Sequence, residues 1–269
     1  MIHVYPDHSE LGRVFQSDLP IAAGIGAFLT KARRHIQLDP GRWAAWLKSG
    51  RDDFEAWTLP IDVPGPLNPA EMFVQLRDIL PDEAIITTDA GNFAGWTSRF
   101  FRFRTYRTQL GAANGSMGYG MPAAIAAKTA RPDAPVIAYA GDGGILMTGN
   151  ELATAVQHDL PIVLIIANNS MFGTIRMHEE REYPGREIAT HLRNPDFVAW
   201  AEAFGAQGER VTTTEEFRPA MERALAAGRP AVIEVVMDQE LIASKTRELE
   251  RLANRLAQYL SPQIYETIF

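Results

Sequence analysis

Asp142 and Asn169 stand 27 positions apart, and each closely follows a run of apolar residues. The first run is Pro135-Val136-Ile137-Ala138-Tyr139-Ala140 and the second is Pro161-Ile162-Val163-Leu164-Ile165-Ile166-Ala167. That separation matches one strand–helix–strand unit, so both side chains are expected at one edge of a parallel sheet. A carboxylate beside an amide oxygen suits a hard divalent cation such as Mg²⁺, which prefers oxygen and recruits a phosphate to complete its octahedron. Gly143 and Gly144 follow Asp142 directly, and without side chains their backbone N–H groups can approach a phosphate. Thr148-Gly149-Asn150-Glu151 has the capping-box pattern. It predicts a helix over 149–158 whose positive N-terminal end faces the same phosphate. The chemistry these residues suit is that of a metal–diphosphate site.

Other phosphate motifs do not fit. Gly-Asp-Gly-Gly-Ile-Leu puts leucine where a dinucleotide loop has its third glycine. The chain has no Gly-Lys-Ser/Thr for a P-loop. Asn114-Gly115-Ser116-Met117-Gly118 lacks the first glycine of a nucleophile elbow.

The elements that must carry these residues alternate along the chain. Apolar runs at 84–88, 135–140, 161–167 and 231–236 read as buried strands. Helices are expected over 68–80, 119–130, 149–158, 171–182, 195–204 and 214–227. Continuous apolar strands separated by helices predict an α/β fold: a doubly wound, mainly parallel sheet with helices on both faces. Upstream, Ile2–Tyr5 reads as a short strand and 19–34 as an apolar helical stretch. Asp39-Pro40-Gly41 opens an amphipathic helix bearing Trp43, Trp46, Leu47 and Trp57. The proline-rich stretch 59–69 reads as a linker, and 244–259 as a charged final helix.

The 269 residues suit one large α/β domain with a flanking piece. With 26 basic and 33 acidic residues the net charge is −7, which argues against a general nucleic-acid binder. Arg99-Phe100-Phe101-Arg102-Phe103-Arg104-Thr105-Tyr106-Arg107 interleaves basic and aromatic residues, and is expected to form an interface or a solvated face. Zero cysteines exclude disulfides, thiolate metal sites and a thiol nucleophile. No apolar run nears the roughly 20 residues of a membrane span, and no secretory signal is visible. A cytoplasmic protein without membrane partners is the expectation.

Gly141-Asp142-Gly143, twenty-four further residues, then Asn168-Asn169 resembles the signature of thiamine diphosphate-dependent enzymes. Gly115-Ser116-Met117-Gly118-Tyr119-Gly120-Met121-Pro122 begins 26 residues upstream and strengthens the likeness. From about Ile61 to Val236 the chain resembles the C-terminal cofactor domain of the acetolactate synthase, pyruvate oxidase and benzoylformate decarboxylase group. The resemblance implies thiamine diphosphate and Mg²⁺ as cofactors, and leaves the use of FAD open. It implies Asp142 and Asn169 as side-chain ligands of Mg²⁺, with the Met171 carbonyl as the backbone ligand. It places Gly141, Gly143, Gly144, Phe172 and Gly173 near the diphosphate, with Ala90, Gly91 and Asn92 as a second phosphate loop. Gly115 matches a backbone contact to the aminopyrimidine. Met117 matches the bulky residue that bends the cofactor into a V, so that its own nitrogen reaches the carbon acid. His178, with Met117, is the candidate catalytic residue, at the position of the family's specificity helix.

Members of this group carry an N-terminal pyrimidine-binding domain with a glutamate, and none precedes Met1 in this sequence. The resemblance therefore implies a C-terminal fragment. Its expected parts are a central-domain remnant (1–35), a linker with a helix (36–67), the diphosphate domain (68–243) and a helical tail (244–269). Biosynthetic acetolactate synthases carry tryptophan where this chain has His178, which opens the substrate to other 2-keto acids. The implied activity is decarboxylation of a 2-keto acid, followed by protonation or transfer to an acceptor, in a homo-oligomer. The alternatives are a non-catalytic thiamine diphosphate-binding module and an Mg²⁺-dependent phosphohydrolase.

Overall fold

Residues 1–36 and 39–241 are described by a computed structural model, in which the chain divides into units 1–56 and 57–269. The first unit holds two parallel strands, β1 (Ile2–Tyr5) and β2 (Leu19–Ala22), with helix α1 (Ile25–His35) and all but the last residue of α2 (Ala44–Trp57). The helical stretch expected over 19–34 is thus a strand followed by a helix. Pro20 disfavours helix and sits acceptably in a two-stranded edge, and Gly24 takes extended backbone as the N-cap of α1. No described side chain of this unit is buried.

The second unit is built on six parallel strands. In chain order its elements are α3 (Pro69–Ile79), β3 (Ile85–Thr88), α4 (Ala94–Phe100), β4 (Gln109–Gly111), α5 (Gly120–Ala130) and β5 (Val136–Gly141). There follow α6 (Asp142–Thr148), α7 (Leu152–Gln157), β6 (Ile162–Asn168), α8 (Gly173–Glu182), α9 (Phe197–Ala203), β7 (Gln207–Val211), α10 (Thr214–Ala226) and β8 (Ala231–Val236). Across the sheet the strand order is β4-β3-β5-β6-β8-β7. All four apolar runs became interior strands, with every residue of β3 and β5 buried. The expected doubly wound sheet is what forms. One face packs Phe73, Trp96, Phe217 and Met221 from α3, α4 and α10. The other packs Met121, Leu152, Phe197 and Ala201 from α5, α7 and α9.

The strands that lacked an apolar run, β4 and β7, are the two edges. β4 has three residues, and β7 carries Glu209 and Arg210, so neither presents the continuous apolar pattern of a strand covered on both faces. The proline-rich stretch is folded into this unit rather than standing free of it. Ile61 and Val63 pack against the core, Leu67 is buried, and Thr214 N–H donates to the Pro66 carbonyl at 3.2 Å. Asn68 caps α3 as expected, accepting from Ala70 N–H at 2.9 Å. The basic–aromatic run is corrected too. Arg99, Phe100 and Phe101 are buried, and Trp96 stacks on Phe100 with ring centres 5.7 Å apart. Phe100 and Phe101 at the end of α4 are buried and Phe103 packs against the core, whereas 104–107, with Tyr106 among them, are exposed. The helix expected over 244–259 lies outside the described residues. Among the described residues, no helix is long and apolar enough to cross a membrane.

Candidate functional site

The order of winding chooses where a ligand can sit. From β3 the chain moves outward to β4, then returns to lay β5 on the other side of β3. The loops leaving the carboxyl ends of β3 and β5 therefore diverge, and such a switch point opens a crevice in a parallel sheet. The register pairs Thr88 with Tyr139, and Asp89 N–H donates to the Tyr139 carbonyl at 3.0 Å. The segments 89–92 and 141–144 consequently leave the sheet side by side. Gly141 lies opposite Ala167, which brings the loop after β6 to the same edge.

A cavity of about 270 Å³ opens there. Ala90, Gly91 and Asn92 line it from the loop after β3, and Gly115 and Met117 from the turn before α5. Gly141, Asp142, Gly143 and Gly144 line it from the start of α6, and Asn169, Met171, Phe172 and Gly173 from the loop before α8. Every cofactor-contact residue expected from the sequence thus meets on one cavity. Phe93, Ala167, Thr174, Ile175, Met237 and Leu241 complete the wall and were not foreseen. Met237 follows the end of β8, and the same strand-end rule that selected Asp142 would have found it.

Local geometry explains the glycines. Gly91 has φ 149°, and a Cβ there would stand 2.7 Å from the Phe93 ring. A Cβ on Gly143 would collide with the Phe172 ring, and one on Gly144 with Asp89 Oδ2, both inside the 3.0 Å limit of real contacts. Asp89 Oδ1 accepts from Tyr119 N–H at 2.6 Å and Gly120 N–H at 3.1 Å, binding the β3 loop to the start of α5. Asn92 N–H donates to the Thr174 hydroxyl at 2.9 Å, binding the same loop to α8.

Asp142 is 2% exposed. Burial pushes its carboxyl above the usual range, opposed by hydrogen bonds from the Asn194 side chain and from backbone N–H groups. A buried carboxylate with its charge uncompensated is suited to a cation. The two asparagines after β6 differ. Asn168 Oδ1 accepts from Ser170 N–H and from Asn194, so it is occupied internally. Asn169 reaches the cavity wall, where its Oδ1 also accepts from Met171 N–H at 3.2 Å. The short ladder beside it runs through the Ser170 and Thr190 carbonyls, not that of Met171. The donor set available to a cation is a carboxylate, an amide oxygen and a carbonyl, an all-oxygen set that fits Mg²⁺.

One expectation is not met, and one candidate residue stands apart from the cavity. Thr148 caps no helix: its hydroxyl donates to the Gly118 carbonyl at 3.0 Å, and Glu151 accepts from Thr154. The helix facing the cavity starts at Asp142, because Gly141 in extended backbone passes straight from β5 into α6. The segment 149–158 is a short 3₁₀ turn followed by α7. His178 is exposed, contacts Arg181 at 3.0 Å and lies outside the cavity wall.

Residues 89–235 match the family described as thiamine pyrophosphate enzyme, C-terminal TPP binding domain. This chain belongs to that family. The matched stretch begins at Asp89, one residue before the first that lines the cavity, and contains every cavity residue foreseen from the sequence. A probable acetolactate synthase large subunit of Methanocaldococcus jannaschii is 32% identical over 251 residues, 88% of this chain and 42% of that protein. An acetolactate synthase large subunit of Parasynechococcus marenigrum is 33% identical over 87% of this chain and 39% of its own length. A putative thiamine pyrophosphate-containing protein of Bacillus subtilis is 34% identical over 79% of this chain and 35% of its own. The chain thus spans about two-fifths of the length of the curated relatives it matches.

In this family member the exposure of His178 sets an expectation. His178→Ala should leave thiamine diphosphate affinity within about threefold, or roughly 0.7 kcal/mol. Calorimetric titration checks it, and a tenfold loss would mean that the side chain reaches the cofactor.

Proposed function

We propose that this chain is the cofactor-holding part of a thiamine diphosphate- and Mg²⁺-dependent 2-keto acid decarboxylase or carboligase, similar to acetolactate synthase. The observation that carries this reading is the convergence of four separate loops on one cavity at the sheet's switch point. In this reading Asp142, Asn169 and the Met171 carbonyl hold the cation. Gly143 and Gly144 present backbone to the diphosphate, at the end of the sheet where Ala90, Gly91 and Asn92 converge. Met117 supports the cofactor from the turn before α5, and Phe93, Met237 and Leu241 keep water from that wall. When bound, thiamine diphosphate supplies the stabilisation of the carbanion that decarboxylation leaves behind.

The cavity, about 270 Å³, stands at the small end of the roughly 300–1,000 Å³ usual for small-molecule sites. It suits the diphosphate end of the cofactor, and the reading assigns the pyrimidine end to a separate domain, contributed within a homo-oligomer. On the same reading, residues 1–35 are the end of a central domain, and the apolar side chains exposed there, such as Val14 and Phe15, meet its remainder.

The test is calorimetric titration of thiamine diphosphate into the chain with and without Mg²⁺, paired with CO₂ release from a panel of 2-keto acids. Binding that requires Mg²⁺, with no turnover by the chain alone, is the expected result. An absent pyrimidine-side acid or base would lower the rate by about 10²–10⁴-fold. Turnover of roughly one per second or more by the chain alone would show a complete active site and end the partial-site reading.

A further inference from the structure

The segment after α8 doubles back over the loop that precedes it. Phe172 N–H donates to the Thr190 carbonyl and Leu192 N–H to the Ser170 carbonyl, each at 2.8 Å, with Met171 and His191 paired antiparallel between them. This strap ends at Asn194, ahead of Pro195 and of Asp196, which caps α9 by accepting from Val198 N–H at 3.0 Å. The far end of the strap is therefore anchored on a helix.

Asn194 Nδ2 donates to Asp142 Oδ2 at 2.7 Å and to Asn168 Oδ1 at 2.9 Å. Both of its amide hydrogens are used, whereas its Oδ1 is buried without a hydrogen-bond partner. A part-buried amide whose donors are engaged and whose buried acceptor is not is placed for its donors. The line of contacts continues inward. Asn168 Nδ2 donates to Glu234 Oε1 at 2.6 Å, and Glu234 Oε2 accepts from Arg210 Nε at 2.7 Å. Arg210 also donates to Asp196 at 2.9 Å, which returns the line to the anchor of the strap. Asp142 directly follows β5, and Asn168, Glu234 and Arg210 lie on β6, β8 and β7, strands adjacent in the sheet, so the partners of the strap are tied to rigid elements.

We propose that Asn194 is a positioning residue for the cation site, clamping Asp142 to Asn168 so that the carboxylate and the loop bearing Asn169 keep one spacing. The inference rests on the cation reading of Asp142 and Asn169. The chemistry of the clamp is specific: an amide donates to a carboxylate without neutralising it. A lysine or arginine at the same place would compete with the cation for Asp142, and an aliphatic side chain would leave the carboxylate free to turn. Hydrogen-bond partners of this kind typically account for 10- to 100-fold in metal affinity.

The experiment uses Mn²⁺ as the probe, titrated into the full chain with saturating thiamine diphosphate and followed by electron paramagnetic resonance. Asn194→Ala and Asn194→Leu both remove the donors, the second keeping much of the volume. Each is expected to raise the Mn²⁺ dissociation constant 10- to 100-fold and to change the spectrum of the bound ion. Phe217→Leu, a core change on α10, controls for lost stability and should leave both readouts as in the parent. A dissociation constant within threefold of the parent, with an unchanged spectrum, in any folded Asn194 variant overturns the proposal. Asn194→Ser serves if the other two fail to fold, and loss of the thermal transition in all three would make Asn194 a residue of the fold alone, which also overturns it. If the parent chain itself binds no Mn²⁺, the cation reading fails and takes this inference with it; if the parent binds and the variants match it, the inference fails alone.

Discussion

Asp142→Ala is expected to abolish Mg²⁺-dependent binding of thiamine diphosphate while the fold persists. Asp142 is the one carboxylate among the three proposed oxygen ligands; the other two are neutral dipoles. Without it, the cation loses the formal charge that holds it when no phosphate is present, and the diphosphate loses the neutralising ion. An affinity loss beyond about 100-fold, roughly 2.7 kcal/mol, follows from removing a ligand outright rather than one of its supporters. The fold should tolerate the change because the charge is not there for stability. Burial raises the carboxyl above its ordinary value, so the folded chain holds that proton more tightly than the unfolded chain does. A group shifted in that direction weakens the fold once it is ionised, and stability from this site grows as pH falls through the raised value. The variant removes that burden and strands one donor of Asn194. The cofactor-free thermal midpoint at neutral pH should therefore stay within a few degrees of the parent's, or rise. Calorimetry for binding and a thermal melt for stability make the check, and cofactor affinity matching the parent's would remove Asp142 from the site.

How much of this was legible in the sequence depends on whether the signal was local. The interior strands announce themselves through apolar runs such as Ile162–Asn168, because a strand covered on both faces must be apolar throughout. Edge strands carry no such demand, so Gln109–Gly111 and Gln207–Val211 were invisible. Asp142 and Asn169 could be paired from spacing alone because a strand–helix–strand unit has a narrow range of lengths. Thr148-Gly149-Asn150-Glu151 misled for a related reason. A capping box reports only local preference, and here the helix had already begun seven residues earlier, where β5 runs directly into α6. Asn194 lies 52 positions from Asp142 and reaches it only through the antiparallel strap, a tertiary feature with no periodicity to betray it. His178 shows the opposite limit: a position inferred from family resemblance lies on an exposed helix face in this chain.

Gly144→Ala should be the most damaging single-methyl change in the cavity. The added Cβ would occupy the place of Asp89 Oδ2, and Asp89 cannot swing aside cheaply. It is 3% exposed, and its Oδ1 holds the Tyr119 and Gly120 N–H groups at 2.6 and 3.1 Å. Either the side chain leaves both donors, at about 0.5–1.5 kcal/mol for each lost bond, or the backbone of α6 shifts away from β3. Forcing a methyl group into a filled site costs about 1–3 kcal/mol by itself. The expected destabilisation is about 3 kcal/mol, or roughly 6–12 °C in the melting midpoint for a unit of this size. Cofactor affinity should fall with it, since Asp89 leads into the Ala90–Asn92 loop and Gly144 adjoins Gly143, so the collision parts two walls of one cavity. A second substitution separates this mechanism from a general intolerance of α6 to change. Asp89→Ala removes the group that collides, with loss of the same two N–H bonds. The double variant Asp89→Ala/Gly144→Ala should then be scarcely less stable than Asp89→Ala alone, a coupling of at least about 1 kcal/mol between residues in contact. Thermal melts of the four proteins close the cycle. Simple additivity, or a Gly144→Ala midpoint within about 2 °C of the parent, would mean that Asp89 does not set the requirement for glycine at this position.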